Sequence, residues 1–393
     1  MSEEASLVGA YGAPGSKVVR SKERSSHHVP ALDGLRGCAF LMVFVLHTTD
    51  VFEGHYPYVE RIISAGHLGV DLFFCLSGYL ITRILFSAKG SSNYFSNFYM
   101  RRSLRIFPLY YAFVTGFYVL VFRLNIFGLG HDKLMHDAFD FRWLWFYGAN
   151  IRIAMTGKFM SAMFNHFWTL SVEEHFYLFW PLLVFLLSTR RLLAAAIVIV
   201  VGALTLRTVL CLAGYPLAAM MCFTPCRVDA FAVAGAIGVA QLLPWRKNAA
   251  EEFARVATFP CLALGVGLFY ADGIWRYTLG LSLATFGFSC LIMRASLPGR
   301  LNRCLSNVAL RIVGKYSYAL YVFHVPILRI FLKTIPISRL SGQTHSAVLA
   351  VLLEMLVVGV LSGAAAFLSW NLLERHFLAM KEFFPEPSSA RPT

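Results

Sequence analysis

The sequence predicts an all-α integral membrane protein, a bundle of about ten transmembrane helices. Three observations predict it. Hydrophobic residues make up 58% of the chain and charged residues 14%, whereas a soluble domain carries about 25% charged residues. Ten apolar segments follow one another, each near the ~20 residues that a helix needs to cross the hydrocarbon core. Lysine and arginine collect between those segments and favour one side. With the N-terminus inside, 22 lie on the inner connections and 11 on the outer, the asymmetry that sets membrane orientation. The net charge of +14 would point to nucleic acid in a soluble protein. Distributed in this way it points to topology and anionic lipid instead, and nucleic acid is not an expected partner.

Residues 1–29 are polar and carry Lys17, Arg20, Lys22 and Arg24. With no apolar run ahead of a small-residue cleavage site, they read as a disordered cytoplasmic tail and not as a signal peptide. The expected spans are 31–50, 68–87, 105–123, 167–187, 192–213, 228–244, 257–272, 275–293, 316–334 and 346–370. They make residues 30–376 one transmembrane domain, followed by a cytoplasmic tail over 377–393. An even number of crossings places both termini inside. Phe141 to Ile153 is aromatic and apolar but too short and interrupted to span, so it reads as re-entrant or interfacial. Cys38, Cys75, Cys261 and Cys290 read as buried small hydrophobes. Cys211, Cys222 and Cys226 cluster round one loop, which leaves a disulfide open; no metal site is expected.

The chemistry is expected at ionisable residues inside the spans, where an unpartnered charge costs several kcal/mol. The first span carries Asp33, Arg36 and His47. Arg36 and His47 are eleven residues apart, which puts both on one helical face, about 16 Å apart along the axis. The competing reading has Arg36 snorkelling to the headgroups and His47 marking the far interface. Asp71 lies within about a turn of the outer end of the second span, at the depth of His47, where the two can meet. Pairing with Arg36 or a loop cation is its alternative. The fourth span brings in Trp168, Ser171 and Glu173 from the outer side, with Glu173 about 9 Å deep. Glu174 points about 100° away from Glu173, so one of the two is expected to be structural.

His47 oriented by Asp71 or Glu173 is a general-base arrangement, able to take a proton from an attacking hydroxyl. Arg102 and Arg105, three apart on a helix face at the inner edge, can hold one anion, although the positive-inside rule places basic residues there in any case. Arg227 and Asp229 are either a salt-bridged anchor or part of an acceptor site. His324, two residues before Pro326, is by itself more often a satisfied buried histidine than a catalyst.

These residues fall in segments that resemble the acyltransferase 3 family of integral-membrane O-acyltransferases. The segments are Leu-Asp-Gly-Leu-Arg-Gly (32–37) with His47, Gly-Val-Asp-Leu-Phe-Phe-Cys-Leu-Ser-Gly-Tyr-Leu-Ile-Thr (69–82), and Phe98-x-x-Arg-Arg-x-x-Arg-Ile-x-Pro108-x-Tyr110. Further on come Trp-Thr-Leu-Ser-Val-Glu-Glu-His-Phe-Tyr (168–177), Arg-Val-Asp-Ala-Phe (227–231) and Ser-Tyr-Ala-Leu-Tyr-Val-Phe-His-Val-Pro (317–326). Six motifs in order, from residue 31 to about 375, are specific where any one is weak.

The resemblance implies ten core helices and an acyl group, acetyl foremost, taken from cytoplasmic acyl-CoA. The acceptor it implies is a hydroxyl on a sugar of a surface polysaccharide, a glycolipid or a secreted metabolite. It makes Arg36 and His47 essential and puts Arg102 and Arg105 on the donor side. Many relatives carry a further C-terminal esterase-like domain, whereas this sequence ends shortly after Arg375. The acceptor is therefore expected to reach the membrane core, or a separate extracytoplasmic partner to complete the transfer. The expected site comprises His47, Arg36, Asp71 and Glu173 as catalytic residues, and Arg102 and Arg105 for the donor. Trp168, Ser171, Arg227, Asp229 and His324 are the candidates for the acceptor. Thioester and imidazole are expected to face one tunnel through a bundle in the cytoplasmic (inner) membrane. The alternative is a proton-coupled secondary transporter, whose usual two related halves are not visible in the sequence.

Overall fold

The computed structural model describes residues 29–49, 62–120, 124, 141–161, 163–271 and 273–385. Residues 1–28 of the expected N-terminal tail and 386–393 of the C-terminal one lie outside the described residues. Among the described residues all regular structure is helical. Each expected apolar segment reappears as a helix: α1 (Pro30–Thr48), α2 (Leu68–Ala88), α3 (Tyr94–Tyr118), α4 (Trp168–Leu186), α5 (Thr189–Leu212), α6 (Val228–Leu242), α7 (Pro244–Phe269), α8 (Leu281–Ser296), α9 (Val308–Thr334) and α10 (Ala347–Ser369). Their ends follow local chemistry. Pro30 opens α1, where a missing N–H costs nothing, and Pro244 closes α6 and opens α7. Asn307 and Ser346 cap α9 and α10, accepting from the Ala309 and Leu349 amides at 2.9 and 3.3 Å.

The helices make this an integral membrane protein, but ten crossings are not confirmed. Among the described residues six helices are long and apolar enough to cross, and a seventh follows if α9 and Ile337–Thr344, bent by 66°, form one broken span. The shortfall has a physical cause. α3 carries Arg101, Arg102 and Arg105, α4 carries Glu173, Glu174 and His175, and α6 is only 15 residues long. The polar side chains that mark the candidate site are what lower the apolarity of α3 and α4. The segment over Phe141 to Ile153 forms a helical turn at 141–145 and a short helix, Ala149–Thr156, joined through Tyr147 at φ 51°. Its Leu144, Ala149 and Ile153 are buried, and it packs on α4 without spanning. All eight cysteines are free, so the disulfide left open round Cys211, Cys222 and Cys226 is not formed.

Helices α5, α7 and α10 turn large apolar side chains outward, among them Val198, Phe259 and Leu361, the surface a lipid environment requires. The interior is built by α1, α2, α4, α6 and α9. α1 packs most closely on α9, through glycines. A Cβ on Gly314 would stand 1.8 Å from the Asp33 carbonyl oxygen, and one on Gly37 2.3 Å from that of Leu310. Backbone meets backbone here, as in small-residue packing of membrane helices. Gly314→Ala is therefore expected to force α9 off α1 and lower the thermal midpoint of the detergent-purified protein, whereas Gly363→Ala, with open space around its Cβ, leaves it unchanged. Equal midpoints for the two variants would contradict this packing.

Candidate active site

The first two turns of α1 bring Asp33 and Arg36 to one wall of a cavity of about 680 Å³. α2 supplies a second wall from Val70 to Ala88, about 27 Å of helix at 1.5 Å per residue. α3 adds Arg102 and Arg105, α4 adds Thr169, Glu173, Glu174 and Tyr177, and α9 adds Ser317, Tyr318 and Tyr321. The basic groups gather at the Arg36 end. Arg36 Nη1 donates to Asp33 Oδ1 at 2.8 Å. The Arg102 guanidinium lies over the rings of Phe98 and Tyr177, at 5.9 and 5.8 Å. Arg36, Arg102 and Arg105 are within electrostatic reach of one another. Three guanidinium groups gathered in one cavity are able to hold an anion.

At its other end the cavity stops at Tyr321 and Thr169. Their hydroxyls are 2.6 Å apart, and both lie within hydrogen-bond distance of the His166 carbonyl, at 3.0 and 2.9 Å. Immediately beyond stand three imidazoles. His47 Nδ1 is 2.9 Å from His324 Nε2, and the two rings stack with centroids 5.1 Å apart. The His166 ring is 5.3 Å from that of His324 and 6.4 Å from that of His47. Tyr321 bridges the two regions: it lines the cavity, and its ring is 5.3 Å from His166 and 5.5 Å from His324. His47 itself is not on the cavity wall. The expected common tunnel is thus a cavity that reaches the foot of the histidine cluster, with a Tyr321–Thr169 layer between.

In comparison with known proteins, the sequence that builds this cavity and histidine cluster matches the model of one family. Its acyltransferase domain fits residues 29–370. The chain belongs to the acyltransferase 3 family. Within the family it is similar to the peptidoglycan O-acetyltransferase OatA of Listeria monocytogenes, with 28% identity over 338 residues, 81% of this chain and 52% of that protein. It is also similar to the O-acetyltransferase OatA of Staphylococcus aureus, with 27% identity over 328 residues, 78% of this chain and 52% of that protein. The chain therefore spans about half the length of these relatives. No solved structure matches it.

Set on this family member, the expected site residues divide. Arg36, Arg102, Arg105 and Glu173 share the cavity. Glu173 does not reach His47; its carboxylate accepts from the Ser77 and Tyr177 hydroxyls. Glu174 lines the same cavity, because a space this wide admits two directions on one helix. Asp71 does not orient His47 either. Arg227 Nη2 donates to Asp71 Oδ1 at 2.7 Å, and both side chains are buried. A buried carboxylate gains more from a guanidinium than from a neutral imidazole, which decides the competition.

Asp229 makes a second buried ion pair, with Arg207, at 2.7 Å. Arg207 also donates to the Cys226 carbonyl and to Ser282 Oγ, the latter at 2.5 Å. Arg227 and Asp229, two apart in sequence, thus anchor two different helices, and neither lines the cavity. Trp168 serves the same anchor, with the Arg227 guanidinium 5.8 Å above its ring. Ser171 is fully buried and donates back to the Phe167 carbonyl at 3.3 Å. His324 is the partner of His47.

Sequence reasoning missed Arg207, His166, Tyr321 and Thr169. Arg207 carried a signal, a lone charge in the middle of an otherwise apolar span. Tyr321 sits three residues before His324, on the same helical face. No group of three His, Cys, Asp or Glu side chains able to hold a metal occurs among the described residues.

Proposed function

We propose that this chain is a membrane O-acyltransferase that moves an acetyl group from cytoplasmic acyl-CoA to a sugar hydroxyl of a surface polysaccharide. The observation that carries this reading is a cavity with three arginines at one end and a histidine pair just beyond the Tyr321–Thr169 layer at the other, in a member of this family. A volume of about 680 Å³ is in the range of small-molecule sites, and its length suits an extended thioester. Arg36, Arg102 and Arg105 would hold the phosphates of the donor. Acyl-CoA, as substrate, supplies an activated carbonyl. The acceptor oxygen bonds to that carbonyl, its proton passes to His47, and the carbon–sulfur bond breaks with the thiolate taking up the proton. The named relatives favour a wall polysaccharide over a glycolipid or secreted metabolite as acceptor. The transporter alternative gains no support from them.

A charge-assisted contact is worth about 1.5–3 kcal/mol, so Arg105→Ala is expected to raise the KM for acetyl-CoA about 10- to 100-fold with little change in kcat. Steady-state kinetics in reconstituted vesicles measures this. An unchanged KM would remove Arg105 from the donor site. Mass spectrometry of surface glycans from cells with and without the gene tests the acceptor. A mass difference of one acetyl group supports the reading, and identical glycans refute it.

A further inference from the structure

Among the described residues, the two carboxylates expected to orient His47 are committed elsewhere: Asp71 to Arg227, and Glu173 to Ser77 and Tyr177. What stands against His47 Nδ1 is His324 Nε2, at 2.9 Å. The other nitrogen of His324 decides the direction of that bond. Its Nδ1 is 2.9 Å from the Tyr321 carbonyl oxygen and 3.1 Å from that of Leu320, and a carbonyl only accepts. With both rings neutral, His324 therefore carries its proton on Nδ1 and a lone pair on Nε2. His47 Nδ1 must then be the donor, which leaves the lone pair of His47 on Nε2. The ring of Phe40, edge-on to His324 at 5.6 Å, and that of Phe44, at 6.3 Å, hold the acceptor ring in place.

We infer that His324 is the positioning residue of this site: its Nε2 fixes His47 in the Nδ1–H tautomer and makes Nε2 of His47 the base. The inference rests on the acyl-transfer reading above and assigns a task that a carboxylate performs in a Ser-His-Asp triad. When His47 Nε2 takes the proton of the acceptor hydroxyl, the ring becomes an imidazolium. Its Nδ1–H bond to His324 is then charge-assisted and stronger. When Nε2 releases that proton to the departing thiolate, both rings return to their starting tautomers, so the pair is restored after each turnover. His324 touches no reacting atom. It acts through His47.

Two amides separate this role from a purely structural one. Asparagine at 324 places its amide where Nδ1 lies and can keep the bond to the Tyr321 carbonyl, but it has no acceptor within reach of His47. Glutamine extends an amide oxygen to the place of Nε2 and keeps that acceptor. Kinetics of the reconstituted protein are expected to show His324→Gln within about tenfold of wild-type kcat. His324→Asn is expected to fall by about 10²-fold or more, and the KM for acetyl-CoA to be unchanged in both, because the arginine end of the cavity is intact. Binding of coenzyme A alone confirms that each variant is folded. Should either fail to bind it, His47→Gln, which abolishes the base but keeps a polar neighbour for His324, provides the reference for lost catalysis in a folded protein. Equal kcat for Asn and Gln, or Asn the faster, would overturn the role of His324 while leaving the enzyme's function standing. Wild-type protein that transfers no acyl group would overturn the functional reading and this role with it.

Discussion

Replacement of His47 by alanine is expected to lower acyl transfer by about 10²–10⁴-fold, the contribution of a positioned general base, with the protein still inserted and stable. The structural cost of the change is small by comparison. His47 lies at the end of α1 and is only half-buried, and its loss leaves one acceptor, His324 Nε2, without a donor. Such a loss costs about 1–3 kcal/mol, a fraction of what a bundle with two buried ion pairs and backbone-close helix contacts can sustain. Transfer of labelled acetyl from acetyl-CoA in isolated membranes, normalised to the amount of inserted protein, measures the effect. Transfer at the wild-type rate would remove His47 from the mechanism.

The second large effect concerns stability. Arg207 is fully buried, and its guanidinium neutralises Asp229 inside the helix bundle. Arg207→Ala strands that carboxylate, and breaking a buried pair from one side costs about 3–5 kcal/mol. The variant is expected to fail to accumulate, or to denature well below the wild type in detergent. Removing both charges with side chains of similar volume, as in Arg207→Met with Asp229→Leu, is expected to restore most of the loss, because a well-packed apolar pair avoids the desolvation cost. Restored folding with restored acyl transfer would show that Asp229 anchors helices. Restored folding without transfer would return Asp229 to the acceptor site where its position in the sequence first suggested it.

That contrast marks where the sequence can and cannot be read. The ten helices were legible because an apolar run of about 20 residues has few other fates, and Arg102 and Arg105 were legible as neighbours because spacing and depth are both properties of a single helix. The partners of Asp71 were not. Asp71 and His47 do come from consecutive helices at similar depth, but depth does not say which way a side chain points round its axis. Arg227 wins the carboxylate through the packing of α6 on α2, a long-range fact. His324 was legible as a buried histidine near a proline, and its match to His47 depends on the glycine contact between α1 and α9, which brings the two helices closer than side chains would allow. Ten crossings are not confirmed for a related reason: helices that line a polar cavity carry charged side chains that lower their mean apolarity, as Arg102 and Arg105 do on α3 and Glu173 and Glu174 on α4.

The division of labour between the two ends of the cavity is tested most directly by equilibrium binding of radiolabelled coenzyme A to purified wild-type, Arg105→Ala and His47→Ala protein. The expected result is that His47→Ala binds as the wild type does while Arg105→Ala binds about 10- to 100-fold more weakly. Weakened binding in His47→Ala together with unchanged binding in Arg105→Ala would contradict it.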